Sequence, residues 1–169
     1  MNEVISAILN RKCVRAYTDE PVAPEQLDTI LQCGLRAPSA MNKQPWHFSV
    51  LKSRALMDEI NAAMPDGGAG SDCWRGGKAA ILVSGQKDSI WSAGDCANAT
   101  ENMFLAANSL GLGCCYIACI RVALENNEEL CRRAGIPEGY QPLYALTIGH
   151  AAEDPEPKPR NSDCVTYID

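Results

Sequence analysis

Four short stretches of this sequence combine residue types that could do chemistry. Arg11-Lys12-Cys13-Val14-Arg15 places three cations within five residues. Guanidinium and ammonium groups so grouped match the oxygens of a phosphate. At the end of a helix they could equally complement its dipole. Ala37-Pro38-Ser39-Ala40-Met41-Asn42-Lys43-Gln44-Pro45-Trp46 mixes small residues, which let a flat ligand approach, with Ser39, Asn42 and Gln44, which offer hydrogen bonds. As isolated chemistry it could also be an ordinary turn stopped by Pro38. Gly111-Leu112-Gly113-Cys114-Cys115-Tyr116-Ile117-Ala118 carries glycines that fit a helix C-terminus. It is not a dinucleotide fingerprint, which needs a strand before the glycines and a helix after them. Lys158-Pro159-Arg160 lies in a proline-rich stretch whose default reading is a solvated tail.

The elements that must position these groups follow from hydrophobic spacing. Val4, Ile5, Ile8 and Leu9 predict a helix over residues 3–10. Pro24 opens a second helix, where its missing N–H costs nothing, with an apolar face of Leu27, Ile30, Leu31, Gly34 and Leu35. Trp46–Leu51 reads as a strand, and a helix follows from about Ser53 to Met64. Glycine and proline crowd residues 65–77, read as a loop. Ala79–Ser84 and Leu143–Gly149 read as buried strands, Cys114–Ile120 as a strand or extended run, and residues 123–134 as one helix. Residues 153–160 are extended, and Val165–Ile168 is the candidate for a last short strand.

Residues 91–110 form the most informative element. Apart from Asp95, Asn98, Glu101, Asn102 and Asn108, this helix has little polar surface. A helix apolar on most sides is buried on most sides, as the central helix of a core or between a sheet and a partner subunit. A two-fold dimer is the commonest way to achieve the second.

Composition narrows the functional classes. The chain of 169 residues suits one domain with a real core. A net charge of −6 argues against nucleic-acid binding. The apolar runs are too short to span a bilayer, and residues 1–12 lack the pattern of a signal peptide. Nine cysteines, an odd number without a Cys-x-x-Cys pair, spell neither a disulfide framework nor a zinc site, which only His47 and His150 could assist. Cys33, Cys96, Cys115 and Cys131 lie among apolar residues as small core side chains. So many free thiols suit a reducing cytoplasm.

The order of the clusters is more specific than any one of them. Arg11-x-x-x-Arg15-x-Tyr17 is followed by Pro21-Val22 and then by Ala37-Pro38-Ser39-Ala40-x-Asn42-x-Gln44-Pro45-Trp46-x-Phe48. An alanine-rich helix leads into Gly111-Leu112-Gly113-x-Cys115-Tyr116-Ile117, and Ile148-Gly149-His150 precedes the Lys-Pro-Arg tail. Over nearly its whole length the chain resembles the nitroreductase family of FMN enzymes. The resemblance implies an α+β fold with a mostly antiparallel central sheet flanked by helices, and a homodimer with FMN at its interface. By the same resemblance Arg11, Lys12 and Cys13 meet the phosphate and ribityl chain, and Arg15 the pyrimidine edge. Pro38, Ser39, Ala40 and Asn42 bind from the other subunit, and Gln44 also belongs to the cofactor-binding set. Ile117 and Ala118 offer backbone contact near flavin N5, and Lys158 and Arg160 return to the phosphate. The activity implied is ping-pong transfer of a hydride from NADH or NADPH, through N5, to a small electron acceptor such as a nitroaromatic or quinone. The flavin would carry that chemistry without a catalytic side chain. The alternative is a flavin-binding redox sensor or FMN carrier. Two departures stand out: Cys13 occupies a position where a hydroxyl residue is usual, and the 65–77 loop is short where larger relatives carry helices that roof the flavin.

Overall fold

The apolar runs of the sequence become a sheet covered on both faces. The computed structural model describes residues 2–64, 72–156 and 158–168. Its strands are β1 (Trp46–Leu51), β2 (Ala79–Gln86), β3 (Gly113–Ile117) and β4 (Tyr140–Gly149). They lie in the order β1-β2-β4-β3, each neighbouring pair antiparallel. The central strand β2 shows why its sequence is apolar without alternation. Ala79, Ile81 and Val83 enter the core on one face, and Ala80 and Leu82 enter the core on the other.

The helices of the described residues are α1 (Glu3–Asn10), α2 (Pro24–Leu35), α3 (Arg54–Ala62), α4 (Ser92–Ser109), α5 (Ile120–Leu124) and α6 (Glu128–Arg133), and all but α1 contribute buried side chains to these faces. α2 and α4 build one core with Leu27, Ile30, Cys96, Ala99, Met103, Phe104 and Ala107. α3 and α5 build the other with Met57, Ile60, Ile120 and Leu124. This α+β arrangement is the one the family resemblance implies. No helix of the described residues is long and apolar enough to cross a membrane.

Several sequence expectations need correction. Residues 123–134 are not one helix. α5 begins already at Ile120 and stops at Leu124, and the Asn127 side chain accepts from the Leu130 N–H at 3.0 Å to start α6 afresh. The strand predicted to reach Ile120 therefore ends at Ile117. Val165–Ile168 is no strand: it joins no ladder, and Tyr167 and Ile168 are fully exposed. Of the 65–77 loop, residues 65–71 lie outside those described. Residues 73–76 form a turn whose Trp74 is wholly buried and donates its indole N–H to the Met57 carbonyl at 2.7 Å. Within this chain α4 is buried along one stripe only, and Ala93, Gly94 and Asn98 are exposed. α1 buries no residue at all, and its Val4, Ile5, Ile8 and Leu9 face outward.

Gly34 lets α2 lie close on α4. A β-carbon there would fall 2.7 Å from Met103 Cγ and 3.3 Å from Phe48 Cε2. Met103 is flexible enough to yield to one methyl group, and alanine favours a helix over glycine. We expect Gly34→Ala to change stability by about 1 kcal/mol or less, and Gly34→Leu to cost roughly 1–3 kcal/mol by overpacking. Urea unfolding of both variants measures the difference, and equal midpoints would show that the helices do not meet at this residue.

Candidate functional site

Two distant parts of the sequence are laid side by side by backbone pairing. After α1, Val14 donates its N–H to Cys114 O at 2.9 Å, along the outer edge of β3. Thr18 then donates to His150 O, Tyr17 bridges Ala151, and Ala152 donates back to Ala16 O. The Tyr17 hydroxyl closes the turn on Val14 O at 2.7 Å. The segment that leaves β4 is thereby brought against residues 11–15. One cleft of about 150 Å³ results, lined by Arg11, Lys12, Cys13, Arg15, Pro155, Glu156, Lys158 and Arg160. Cations predicted from opposite ends of the chain thus share one wall.

Their partners differ. Arg11 is held by α4: its Nε lies 3.6 Å from Glu101, and its guanidinium sits 4.7 Å over the Phe104 ring. Lys12 pairs with Asp154, and its N–H donates to Asn108 Oδ1 at 3.3 Å. The Arg15 N–H donates to Glu153. The Arg15 guanidinium, Lys158 and Arg160 form no ion pair with another described residue. Their charge is available to a ligand.

Cys13 is unusual among the thiols. Its sulfur lies beside the Cys115 thiol and the Tyr116 backbone, whose influence lowers its pKa, and the charges of Arg15 and Arg11 act in the same direction. Arg11 Nη1 stands 4.0 Å from the sulfur. Together these outweigh partial burial and lower the Cys13 pKa to about 5. Burial, reinforced by Cys119 and Asp72 at Cys73 and by Asp95 at Cys96, pushes both thiols up to about 12. Cys115, beside the Cys13 sulfur, is driven well upward.

The 37–46 stretch is built differently. Pro38 and Ser39 lead from α2 into a 3-10 turn over Ala40–Asn42. Met41, Asn42 and Gln44 take left-handed φ angles of 53°, 54° and 49°. Such angles are costly for residues with side chains, of order 1–3 kcal/mol each. α4 holds the turn in place: Asp95 Oδ1 accepts the Ala40 N–H at 3.0 Å, and the Asn98 amide donates to Pro38 O at 3.4 Å. Within the turn Ser39 Oγ accepts from Gln44 N, and the Gln44 amide donates to Asn42 Oδ1, both at 3.0 Å. None of Pro38, Ser39, Ala40, Asn42 or Gln44 lines the cation cleft of its own chain.

Ile117 ends β3 with its side chain buried in the α3–α5 core, so only its backbone is open to a ligand; Ala118 is exposed. Tyr116, one residue earlier, faces the other way. It lies against Tyr144 with ring centres 5.6 Å apart and lines a second hollow with Arg11, Cys13, Ala97, Thr100, Glu101 and Phe104. Sequence reasoning missed Tyr116, Glu101 and Phe104 as site residues. The period-2 alternation of a strand could have signalled Tyr116. Nothing local signals the other two.

A thiolate alkylates and a thiol does not. With its pKa near 5, Cys13 is expected to react with iodoacetamide in flavin-free protein at pH 6 and above, and to lose reactivity as pH falls through 5. Cys73 and Cys96 stay unmodified over that range. Peptide mapping after timed alkylation tests this; a Cys13 rate that rises only above pH 8 would refute the assignment.

Comparison with known proteins identifies the family. A model described as the Nitroreductase family matches residues 8–150. A protein of Methanothermobacter thermautotrophicus, named provisionally as an NADH dehydrogenase/NAD(P)H nitroreductase, is 35% identical over 158 residues, covering 90% of this chain and 80% of its own. An FMN reductase [NAD(P)H] of Bacillus subtilis is 31% identical over 183 residues, covering 95% of this chain and 70% of its own. The crystal structure of a nitroreductase with bound FMN from Bacteroides fragilis superposes with a TM-score of 0.91 at 28% identity, covering 100% of both chains. A family match across most of the chain, on the fold and the clusters just described, places this protein in the nitroreductase family.

Proposed function

We propose that this chain is an FMN-dependent NAD(P)H oxidoreductase that works as a homodimer. The observation that carries this reading is the meeting of Arg11, Lys12, Arg15, Lys158 and Arg160 in one cleft. A dianionic phosphate needs more than one cation, and this wall supplies several without counter-ions of their own. The FMN reductase relative and the FMN-bound Bacteroides structure support the choice of flavin.

In this reading Arg11, Lys12, Lys158 and Arg160 hold the phosphate. Cys13 accepts from the ribityl chain, because a thiolate accepts hydrogen bonds where a hydroxyl would also donate. Arg15 sets positive charge at the pyrimidine edge, where it favours negative charge on the ring. The backbone at Ile117 and Ala118 lines the ring. When bound, FMN supplies hydride transfer at N5, from NADH or NADPH and then, in ping-pong fashion, to a small acceptor such as a nitroaromatic or quinone. No side-chain base is assigned, since the cofactor carries that chemistry.

Pro38, Ser39, Ala40, Asn42 and Gln44 are assigned to the cleft of a second copy. Two features support that: the turn does not reach its own cleft, and Val4, Ile5, Ile8 and Leu9 leave an apolar face uncovered on α1. Nine unpaired thiols favour a reducing compartment such as the cytoplasm.

Purified protein is expected to be yellow, to bleach with NADH or NADPH, and to regain colour repeatedly with a quinone or nitroaromatic. Bleaching without turnover would support the flavin-carrier reading instead. Arg11→Ala and Arg160→Ala are each expected to cost roughly 1.5–3 kcal/mol of FMN affinity and to leave riboflavin, which lacks the phosphate, unaffected. Equal weakening of both ligands would assign these residues to folding or dimer formation. Sizing with flavin quantitation completes the test: a monomer that keeps one FMN per chain overturns the shared site.

A further inference from the structure

Cys13 and Cys115 lie together for a structural reason. The Val14–Cys114 bond fixes the 13–14 peptide on the open edge of β3. That lays the Cys13 side chain alongside Cys115, and Arg11 Nη1 stands 4.0 Å from the Cys13 sulfur. Cys13 is half-buried and opens onto both hollows, whereas Cys115 is buried behind it. One sulfur faces solvent among cations, and a second waits directly behind.

We propose that Cys13 and Cys115 form a thiol oxidation site for hydroperoxides in the wall of the cleft, open in flavin-free protein and shielded when the cleft is filled. The shielding rests on the FMN reading above; the thiol chemistry does not. The Cys13 thiolate sulfur attacks one peroxide oxygen, the O–O bond breaks, and hydroxide leaves. Cys13 becomes a sulfenic acid, and Arg11 and Arg15 stabilise the departing negative charge. The Cys115 sulfur then attacks the Cys13 sulfur. The S–O bond breaks, and the hydroxyl leaves as water with the Cys115 proton. The two sulfurs together lose two electrons, which the peroxide takes up. Thiolate, thiol and hydrogen peroxide thus become disulfide, water and hydroxide.

Cys119 is exposed near the buried Cys73, but neither lines the cleft. Cys114 neighbours Cys115 in sequence but is wholly buried on the α4 face. Cys73 and Cys96 are buried and held as thiols.

The test treats full-length protein with hydrogen peroxide, with FMN bound and after FMN removal. Unreacted thiols are then alkylated and peptides mapped. Flavin-free protein is expected to yield a Cys13–Cys115 disulfide peptide, reversed by dithiothreitol. Bound FMN should slow its appearance at least tenfold, with occupancy followed separately by flavin fluorescence. Cys115→Ser should stop at a Cys13 sulfenic acid that dimedone traps, and Cys13→Ser should abolish the disulfide. Cys13 left alkylatable after peroxide, or bridged to a different cysteine, overturns the site. Verified FMN occupancy without slowing overturns the shielding alone. A disulfide that forms in protein unable to bind FMN upholds the thiol site and refutes the FMN reading.

Discussion

Burial of one stripe of α4 is the constraint on which the rest of the molecule depends. Cys96, Ala99, Met103, Phe104 and Ala107 recur at helical spacing and are sealed between α2 and the sheet. That fixes the rotation of the helix, and with it the direction of its few polar side chains. Five of these hold neighbouring segments, while Thr100 bonds back to Cys96 O within α4. Asp95 and Asn98 hold the 38–40 backbone, Asn102 donates to Cys33 O at the end of α2, Glu101 holds Arg11, and Asn108 holds the Lys12 N–H. The apolar stripe sets position, and the polar exceptions use it.

Both candidate binding segments carry a cost that this scaffold must sustain. The turn at Met41, Asn42 and Gln44 keeps side-chain-bearing residues in left-handed conformations. Asp95 accepts one backbone N–H from it, while its second carboxylate oxygen is buried without a partner. A buried polar oxygen left unpaired is expensive. In the cleft the cost is mutual repulsion of cations. Asp154 moderates it at Lys12 and Glu101 moderates it at Arg11. A net charge of −6 on the whole chain conceals this local positive field, because interaction depends on distance and not on the total.

Much of the architecture was legible in the sequence where one physical signal dominated. Pro24 marked a helix start, β2 showed itself as an uninterrupted apolar run, and Gly111 marked the end of α4. The misread places had competing signals. Residues 123–134 carry a helical apolar pattern, yet Asn127 inside it is a better N-cap than helix residue, and it wins. Val165–Ile168 has strand-forming residues but finds no edge to pair with, so propensity alone makes no strand. The site divides the same way. Arg11 and Arg160 were legible as charge types in extended or helix-end settings. Their meeting depends on the Tyr17–Ala151 bridge, a long-range pairing that no local pattern encodes. The contact between Cys13 and Cys115 is equally invisible, since it arises from edge pairing of residues far apart in the chain.

A thiol at residue 13, where the family resemblance implies a hydroxyl, alters more than one hydrogen bond. A hydroxyl is neutral at every physiological pH and both donates and accepts. The Cys13 thiol has its pKa lowered by its surroundings, which favours the anionic form, and that form only accepts. It therefore draws on the same Arg11 and Arg15 field that a bound phosphate or an electron-rich ring would use. With FMN bound as proposed, the cations in this cleft would answer two anions instead of one. That gives a physical reason for Lys158 and Arg160 to matter here. Carried on the tail, they add positive charge that Cys13 does not already engage.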